Sequence, residues 1–366
     1  MIRVLHVTAC ADAGGISAVI LNYYRFIDRS KIRFDLALTV PEAGQNALAI
    51  QALGATIHYL PLKSHGLKAF QAALQELLEK EHYDAIHVHE SETCYVALAV
   101  AKKLGIRCRI AHAHTCSPWE GWKGELRRIS GVLLNYPVAT HVIGCGKKAG
   151  DRVFGKWNMH RPKAVVLPNA VDTRKFTFDE ALRREVRREL GIEGKFVLGM
   201  VGRLCVEKNY PFALDLVATL CREDSDVILV IAGNGEEEEA IRTKISILGI
   251  SDHVKLLGRR ADVHRLYQAF DLFLLPSFTE GFPVAAVEAL SSGLPILLSD
   301  RITEELKRFS NAEYLSLENG EGWLSAIRSR KGVCDRTAYQ KEVLENGFDI
   351  WDCAHVLSEI YEKDLG

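Results

Sequence analysis

The chain has 366 residues, 48% of them hydrophobic and 25% charged, with a formal net charge of −1. That length exceeds what one ordinary core supports and predicts two domains, and the composition excludes disordered, fibrous and disulfide-framework classes. No apolar run approaches the roughly eighteen residues a membrane-spanning helix needs. The N-terminal apolar stretch starts at residue 2, contains His6, and reads as a buried strand, not a secretory signal.

Charge is uneven along the chain. Residues 1–168 carry 21 Lys and Arg against 13 Asp and Glu, whereas the rest carries 25 against 34. Segment 102–163 alone holds 13 basic and three acidic side chains. A half this basic faces an anionic membrane surface, a phosphorylated ligand, or only water. The nine cysteines are odd in number and form no C-x-x-C pair, which points to reduced cytosolic thiols.

In chain order, strands are predicted at 2–8, 34–40, 56–62, 85–91, 109–114 and 141–145. Helical patterns at 16–27, 67–81 and 93–105 separate them. Near-continuous apolar strands alternating with helices indicate a doubly wound parallel sheet. Between the first strand and helix, Gly14-Gly15 allows close backbone approach at a helix N-terminus, though such a pair is often a simple turn. The spacing is not G-x-G-x-x-G, which disfavours a nicotinamide site.

Two histidine pairs end strands in this half, His87/His89 and His112/His114, each pair sharing a strand face. Neither pair has ligand-type neighbours at typical metal spacing beyond Glu90 and Glu92, so no metal is expected there. The following segment interleaves Trp119 and Trp122 with Lys123, Arg127 and Arg128. That mixture suits a membrane interface, with a helix near 123–134 lying on it. It would also suit nucleic acid, but no nucleic-acid fold accompanies it.

The pattern restarts after a Pro-Asn turn, placing a junction near 167–172 and domains at 1–168 and 169–349, with a C-terminal helix at about 350–366 returning to the first. Strands are predicted at 195–203, 226–235, 253–259, 272–277 and 295–300, and helices at 210–223, 236–248, 262–270, 284–292 and 302–308. Two such Rossmann-like domains imply a cleft outside the carboxyl ends of their strands.

Two motifs lie at those ends. Gly202-Arg203-Leu204-Cys205-Val206-Glu207-Lys208-Asn209 offers a planar and a point cation, a pair that suits a pyrophosphate. The loop after 272–277 carries Glu280 and Glu288 around Gly281-Phe282-Pro283, with proline at a helix start and free amides for an anion or sugar hydroxyl. Glu288 is placed to accept from a ribose diol. Either glutamate alone could be a cap or a solvated charge; the pair in one glycine-rich loop argues for a site.

Together these stretches resemble the retaining glycosyltransferase family four, of GT-B fold. GRLCVEKN is similar to its G-R-L-x3-K-N/G motif, EGFPVAAVE to its Glu-x7-Glu motif, and LPNAVDTRKF to its interdomain motif, with Ala170 in place of glycine. The resemblance spans nearly the whole chain. It implies that Arg203 and Lys208 hold the donor phosphates, Glu288 the ribose and Glu280 the transferred sugar. It assigns the loop at Gly15 to donor and acceptor, and a sugar contact to His114, with His112 second. It further implies a nucleotide-diphosphate-sugar donor, uridine by analogy, a glycan or lipid-linked acceptor, no cofactor or metal, and cytoplasmic work at the inner membrane face. Cys145-Gly146 departs from the family's Cys-Ser. The rival readings are a nucleotide-sugar 2-epimerase and a non-catalytic subunit of a polysaccharide assembly.

Overall fold

A computed structural model of the chain describes residues 1–9, 15–63, 66–114, 121–332 and 335–365. Gly14, Trp119 and Glu120 therefore lie outside the described residues. Internal contacts divide the chain into Met1–Ala170 with Ile350–Gly366, and Val171–Asp349.

The first unit is a seven-stranded sheet built from β1 (Ile2–Thr8), β2 (Ile32–Leu38), β3 (Ile57–Tyr59), β4 (Ala85–Val88), β5 (Cys108–Ala113), β6 (His141–Gly144) and β7 (Ala164–Val166). Its order is β3-β2-β1-β4-β5-β6-β7, and every pairing is parallel. Helices cover both faces of the central strands, which is why β4 reads as an unbroken buried run instead of an alternating one. The returning helix Ile350–Lys363 completes one face. Its Ile350, Cys353, Ala354, Leu357, Ile360 and Tyr361 enter the core with Phe34, Leu36 and Ile110.

The second unit contains β8 (Phe196–Val201), β9 (Val227–Ala232), β10 (Val254–Leu256), β11 (Leu272–Leu275), β12 (Ile296–Ser299) and β13 (Ala312–Leu315), in the order β10-β9-β8-β11-β12-β13. These pairings are parallel too. In each sheet the chain reverses its direction of travel once. The reversal falls between β1 and β4 in one unit and between β8 and β11 in the other. Loops leaving the carboxyl ends of these four strands diverge and open a crevice in their own sheet.

Several expected boundaries move. The strand read at 34–40 runs Ile32–Leu38, and that at 56–62 keeps only three residues, Ile57–Tyr59. The helix expected at 302–308 is a single 3-10 turn, Glu305–Arg308. Strand β13 was not foreseen, and neither were helices Gln45–Ala52, Lys147–Phe154, Glu180–Leu190, Gly320–Arg328 and Arg336–Glu345.

Candidate active site

In the second unit, the loops after β8 and β11 bring the expected residues together. Gly202 follows β8 with φ of +154°, and a Cβ there would lie 3.2 Å from Lys208 Cε. Glycine thus leaves room for the Lys208 side chain to lie across the strand end. Asn209, with φ of 52°, closes the 3-10 turn Val206–Lys208 and starts helix Tyr210–Glu223. Asparagine tolerates this left-handed backbone better than most residues. The two loops are joined by the Phe278 amide donating to the Glu207 carbonyl at 2.8 Å.

On this frame Lys208 Nζ donates to Glu280 Oε1 at 2.6 Å, and the Ser277 hydroxyl donates to the same oxygen at 2.8 Å. Both charged side chains are largely enclosed, 17% and 12% exposed, so their attraction is far less screened than at the surface. Arg203 behaves otherwise. Its guanidinium is 71% exposed and pairs with Glu236 at 3.1 Å. Equal placement of the two cations was expected from the motif; the structure sets Lys208 in the crevice and Arg203 at its rim.

Gly281, Phe282 and Pro283 lead into helix Val284–Ser291, with Pro283 at the cap position. Phe282 is buried against Phe348, ring centroids 5.6 Å apart, which fixes the turn. Glu288 lies one turn into that helix. Its Oε2 meets the Tyr267 hydroxyl at 2.8 Å, and that hydroxyl also lies 3.0 Å from the Ala285 carbonyl. Glu288 as a whole is half-buried. Desolvation lifts its pKa to about 7, while Tyr267 and the cations Lys175 and Lys208 pull the other way. The sequence singled out Glu288 but not Tyr267, because nothing in a lone tyrosine on a neighbouring helix marks it.

In the first unit Gly15 stands at the N-terminus of helix Ile16–Phe26 with φ of +60°, a conformation that favours glycine. His112 and His114 come from the end of β5, and the structure adds three more imidazoles around them. His6 Nδ1 meets His89 Nε2 at 2.9 Å, and His89 Nδ1 meets His114 Nε2 at 2.8 Å. His87 bridges the Tyr361 hydroxyl at 2.7 Å and His112 Nδ1 at 3.1 Å. Burial drives all five towards the neutral form, His6 and His114 to about 3 and the others well below their usual value. For His114, neighbouring Asn169 opposes the shift.

His6, His87 and His89 form one group, and His89, His112 and His114 another, whose ring nitrogens lie within 4.8 Å of each other. Spacing along the sequence gave no such cluster, since the ligands come from three strands.

The basic helix is Gly121–Val138. Gly124, Gly131 and Asn135 face inward, while Trp122, Leu126, Ile129 and Leu133 form an exposed apolar stripe, 71%, 55%, 41% and 62% exposed. Lys123 and Arg127 flank it in solvent, and Arg128 pairs with Glu125. No helix among the described residues is long and apolar enough to cross a membrane.

Two parallel α/β units with this arrangement define a GT-B glycosyltransferase, and solved structures agree on the fold. HepE of Anabaena, crystallised with UDP, superposes with a TM-score of 0.83 at 20% identity, covering 99% of this chain and 100% of HepE. Residues 13–175 match the family model Glycosyltransferase Family 4, and residues 183–319 match Glycosyl transferases group 1. EpsF of Bacillus subtilis (strain 168), named as a glycosyltransferase, is 32% identical across 99% of this chain and 98% of its own length. The UDP-Gal:alpha-D-GlcNAc-diphosphoundecaprenol alpha-1,3-galactosyltransferase of Escherichia coli is 26% identical over 82% of this chain and 79% of its own. The chain belongs to the family 4, group 1 glycosyltransferases and is a transferase enzyme.

Proposed function

We propose that the enzyme moves a sugar, with retention, from a uridine-diphosphate donor to a glycan or lipid-linked acceptor of surface polysaccharide synthesis, in the cytoplasm. The observation that carries this reading is the convergence of Lys208, Glu280 and Glu288 where the second sheet reverses its strand order. The donor would bind the second unit, Val171–Asp349, and the acceptor the first, with Gly15, His112 and His114. HepE binds UDP and UDP-glucose in its solved complexes, and the E. coli relative is named for UDP-Gal and a diphosphoundecaprenol-linked acceptor.

In this mechanism Lys208 leaves Glu280 for the diphosphate, and the amides of Gly281 and Phe282 assist at the helix terminus. Arg203 swings from Glu236 to the same phosphates. Glu280, released, accepts from a hydroxyl of the sugar, and Glu288 from the ribose diol. The acceptor oxygen attacks the anomeric carbon on the face the diphosphate leaves, and its proton passes to the departing phosphate oxygen.

Thermal shift with UDP, GDP and their glucose esters tests the donor, because a ligand of the native state stabilises by mass action. UDP compounds are expected to raise Tm and GDP compounds not. A protonated Glu288 has one acceptor oxygen fewer, so UDP affinity is expected to rise as pH increases through about 7. The Glu288→Gln variant is expected to bind weakly at every pH. A guanosine preference, or a pH profile unchanged by Glu288→Gln, refutes this assignment.

Turnover is expected to persist in excess EDTA, since Lys208, Arg203 and helix amides supply the positive charge. Loss of activity restored by Mg²⁺ or Mn²⁺ would overturn the metal-free mechanism.

We further propose that helix Gly121–Val138 lies on anionic lipid, with no role for nucleic acid. Each cation near such a surface contributes about 1 kcal/mol, and the apolar stripe adds burial that salt does not screen. Flotation with anionic vesicles is expected to capture the protein at low salt. Trp122→Ala with Leu133→Ala is expected to weaken capture at all salt concentrations, and Lys123→Glu with Arg127→Glu chiefly at low salt. A wild type that ignores anionic vesicles defeats the idea.

A further inference from the structure

At the amino ends of the first sheet, opposite the crevice, three side chains of different elements meet. Cys108 opens β5 and His141 opens β6. Ile110 pairs with His141 in the ladder, so Cys108, two residues earlier, presents the same face to it. Asp364 follows the returning helix Ile350–Lys363. One ligand atom from each of the three lies within 4.8 Å of the other two.

Their hydrogen bonding is incomplete. His141 Nδ1 and Asp364 Oδ2 are 3.2 Å apart, within ion-pair range, yet neither of these buried atoms makes a hydrogen bond of full geometry. Two bare polar atoms in one buried spot are costly unless a third body satisfies both. Ligands on a tetrahedral ion with metal–ligand distances of about 2.0–2.2 Å sit about 3.3 Å apart, close to what is seen. The side chains of His141 and Asp364 are 13% and 19% exposed, which leaves an entry path from solvent.

We propose that Cys108, His141 and Asp364 form a zinc site that clips the C-terminal helix to the first unit. The donor set of one sulfur, one imidazole and one carboxylate suits Zn²⁺ and not Mg²⁺ or Ca²⁺. Three protein ligands leave the fourth tetrahedral position to water. Thiolate and carboxylate together neutralise the ion, which matters beside Arg109, Lys163 and Lys363. Without a metal, burial and Asp364 push the Cys108 thiol up, making it an inert thiol and not a nucleophile. The three residues belong to the first unit and the proposed donor residues to the second, so failure of this proposal would leave the proposed transfer reaction untouched.

The test uses the reduced full-length protein, stripped of metal and titrated with Co²⁺ and then Zn²⁺. One equivalent of Co²⁺ is expected to produce visible d–d bands together with a thiolate-to-cobalt charge-transfer band, both erased by Zn²⁺. Cys108→Ala is expected to abolish the charge-transfer band. Asp364→Asn, near the surface and tolerant of change, is expected to weaken binding by at least the roughly 10- to 100-fold typical of lesser disturbances around a metal. Zinc is expected to raise Tm in the wild type and not in Asp364→Asn. Absence of uptake overturns the proposal, as does binding that keeps its spectrum in Cys108→Ala, which would assign the metal to the histidine cluster.

Discussion

Lys208→Ala is expected to lower turnover by about 10²–10³-fold while the protein stays folded, the usual loss when one preorganised donor to a developing anion is removed. Lys208 sits in the crevice, tethered to Glu280 and only 17% exposed, so its charge acts through a medium that screens it weakly. The 3-10 turn that carries it is set by Asn209, not by its own side chain, so alanine leaves the backbone in place. Removing the ammonium also strips Glu280 of its cation, leaving the Ser277 hydroxyl as a partner. Effects of Lys208→Ala and Glu280→Gln are therefore expected to combine to less than their sum, as for groups that act as a unit. Arg203→Ala is expected to cost less than Lys208→Ala, since Arg203 must first leave Glu236 and lies in water. Single-turnover rates on the purified variants, beside their circular dichroism spectra, give the answer. A near-normal rate for Lys208→Ala would remove it from the phosphate site.

Acid is expected to unfold the first unit well before ordinary acid denaturation. An imidazole held neutral in the fold binds fewer protons there than in the unfolded chain, so stability is lost as pH falls below the unfolded value near 6.5. The loss is about 1.4 kcal/mol per histidine per pH unit. His6, His87, His89, His112 and His114 all shift in this direction, so at about pH 5.5 the five together cost about 7 kcal/mol. That is comparable to the entire stability of a typical domain, about 5–15 kcal/mol. The raised carboxyl of Glu288 works oppositely, favouring the fold below about 4.5 and losing that benefit as pH rises to about 7. It is one group in the other unit, and it cannot offset five. Equilibrium unfolding followed between about pH 7.5 and 5.5 measures the slope, and His6→Asn is expected to reduce it by about one fifth. A flat profile would mean that the cluster accepts protons without opening.

Much of the architecture was readable because buried parallel strands leave an unbroken apolar trace, as in the segments that became β1, β8 and β9. Strand β13 escaped because Ala312–Leu315 is only half-buried and short. Helix Glu180–Leu190 carries its own signals, Leu182, Val186 and Leu190 four apart between an Asp179 cap and Gly191, so no physical reason hid it. Within the crevice, Lys208, Glu280 and Glu288 were legible because each lies in a local motif. Ser277 lies only three residues before Glu280 in the same loop, whereas Tyr267 reaches Glu288 from another helix, and no spacing announces it. The same holds for the histidines. Each pair at the end of β4 and β5 was visible, but their hydrogen bonds to His6 and Tyr361 depend on strand order and on the returning helix, which only the folded unit supplies.

The returning helix has a consequence for synthesis on the ribosome. Residues 171–349 emerge as one continuous segment and possess every strand of their sheet before residue 350 is made. The earlier-made unit lacks Ile350, Leu357 and Tyr361 until the segment 350–361 is translated, so it waits with an open apolar flank. The half made second can therefore mature first. During that interval the His87 imidazole has no Tyr361 to receive it, and the nascent N-terminal half is the part a chaperone would find. A truncation before Ile350 would then be damaging although it removes none of the candidate site residues, because it would delete the closing piece of a core begun at residue 2.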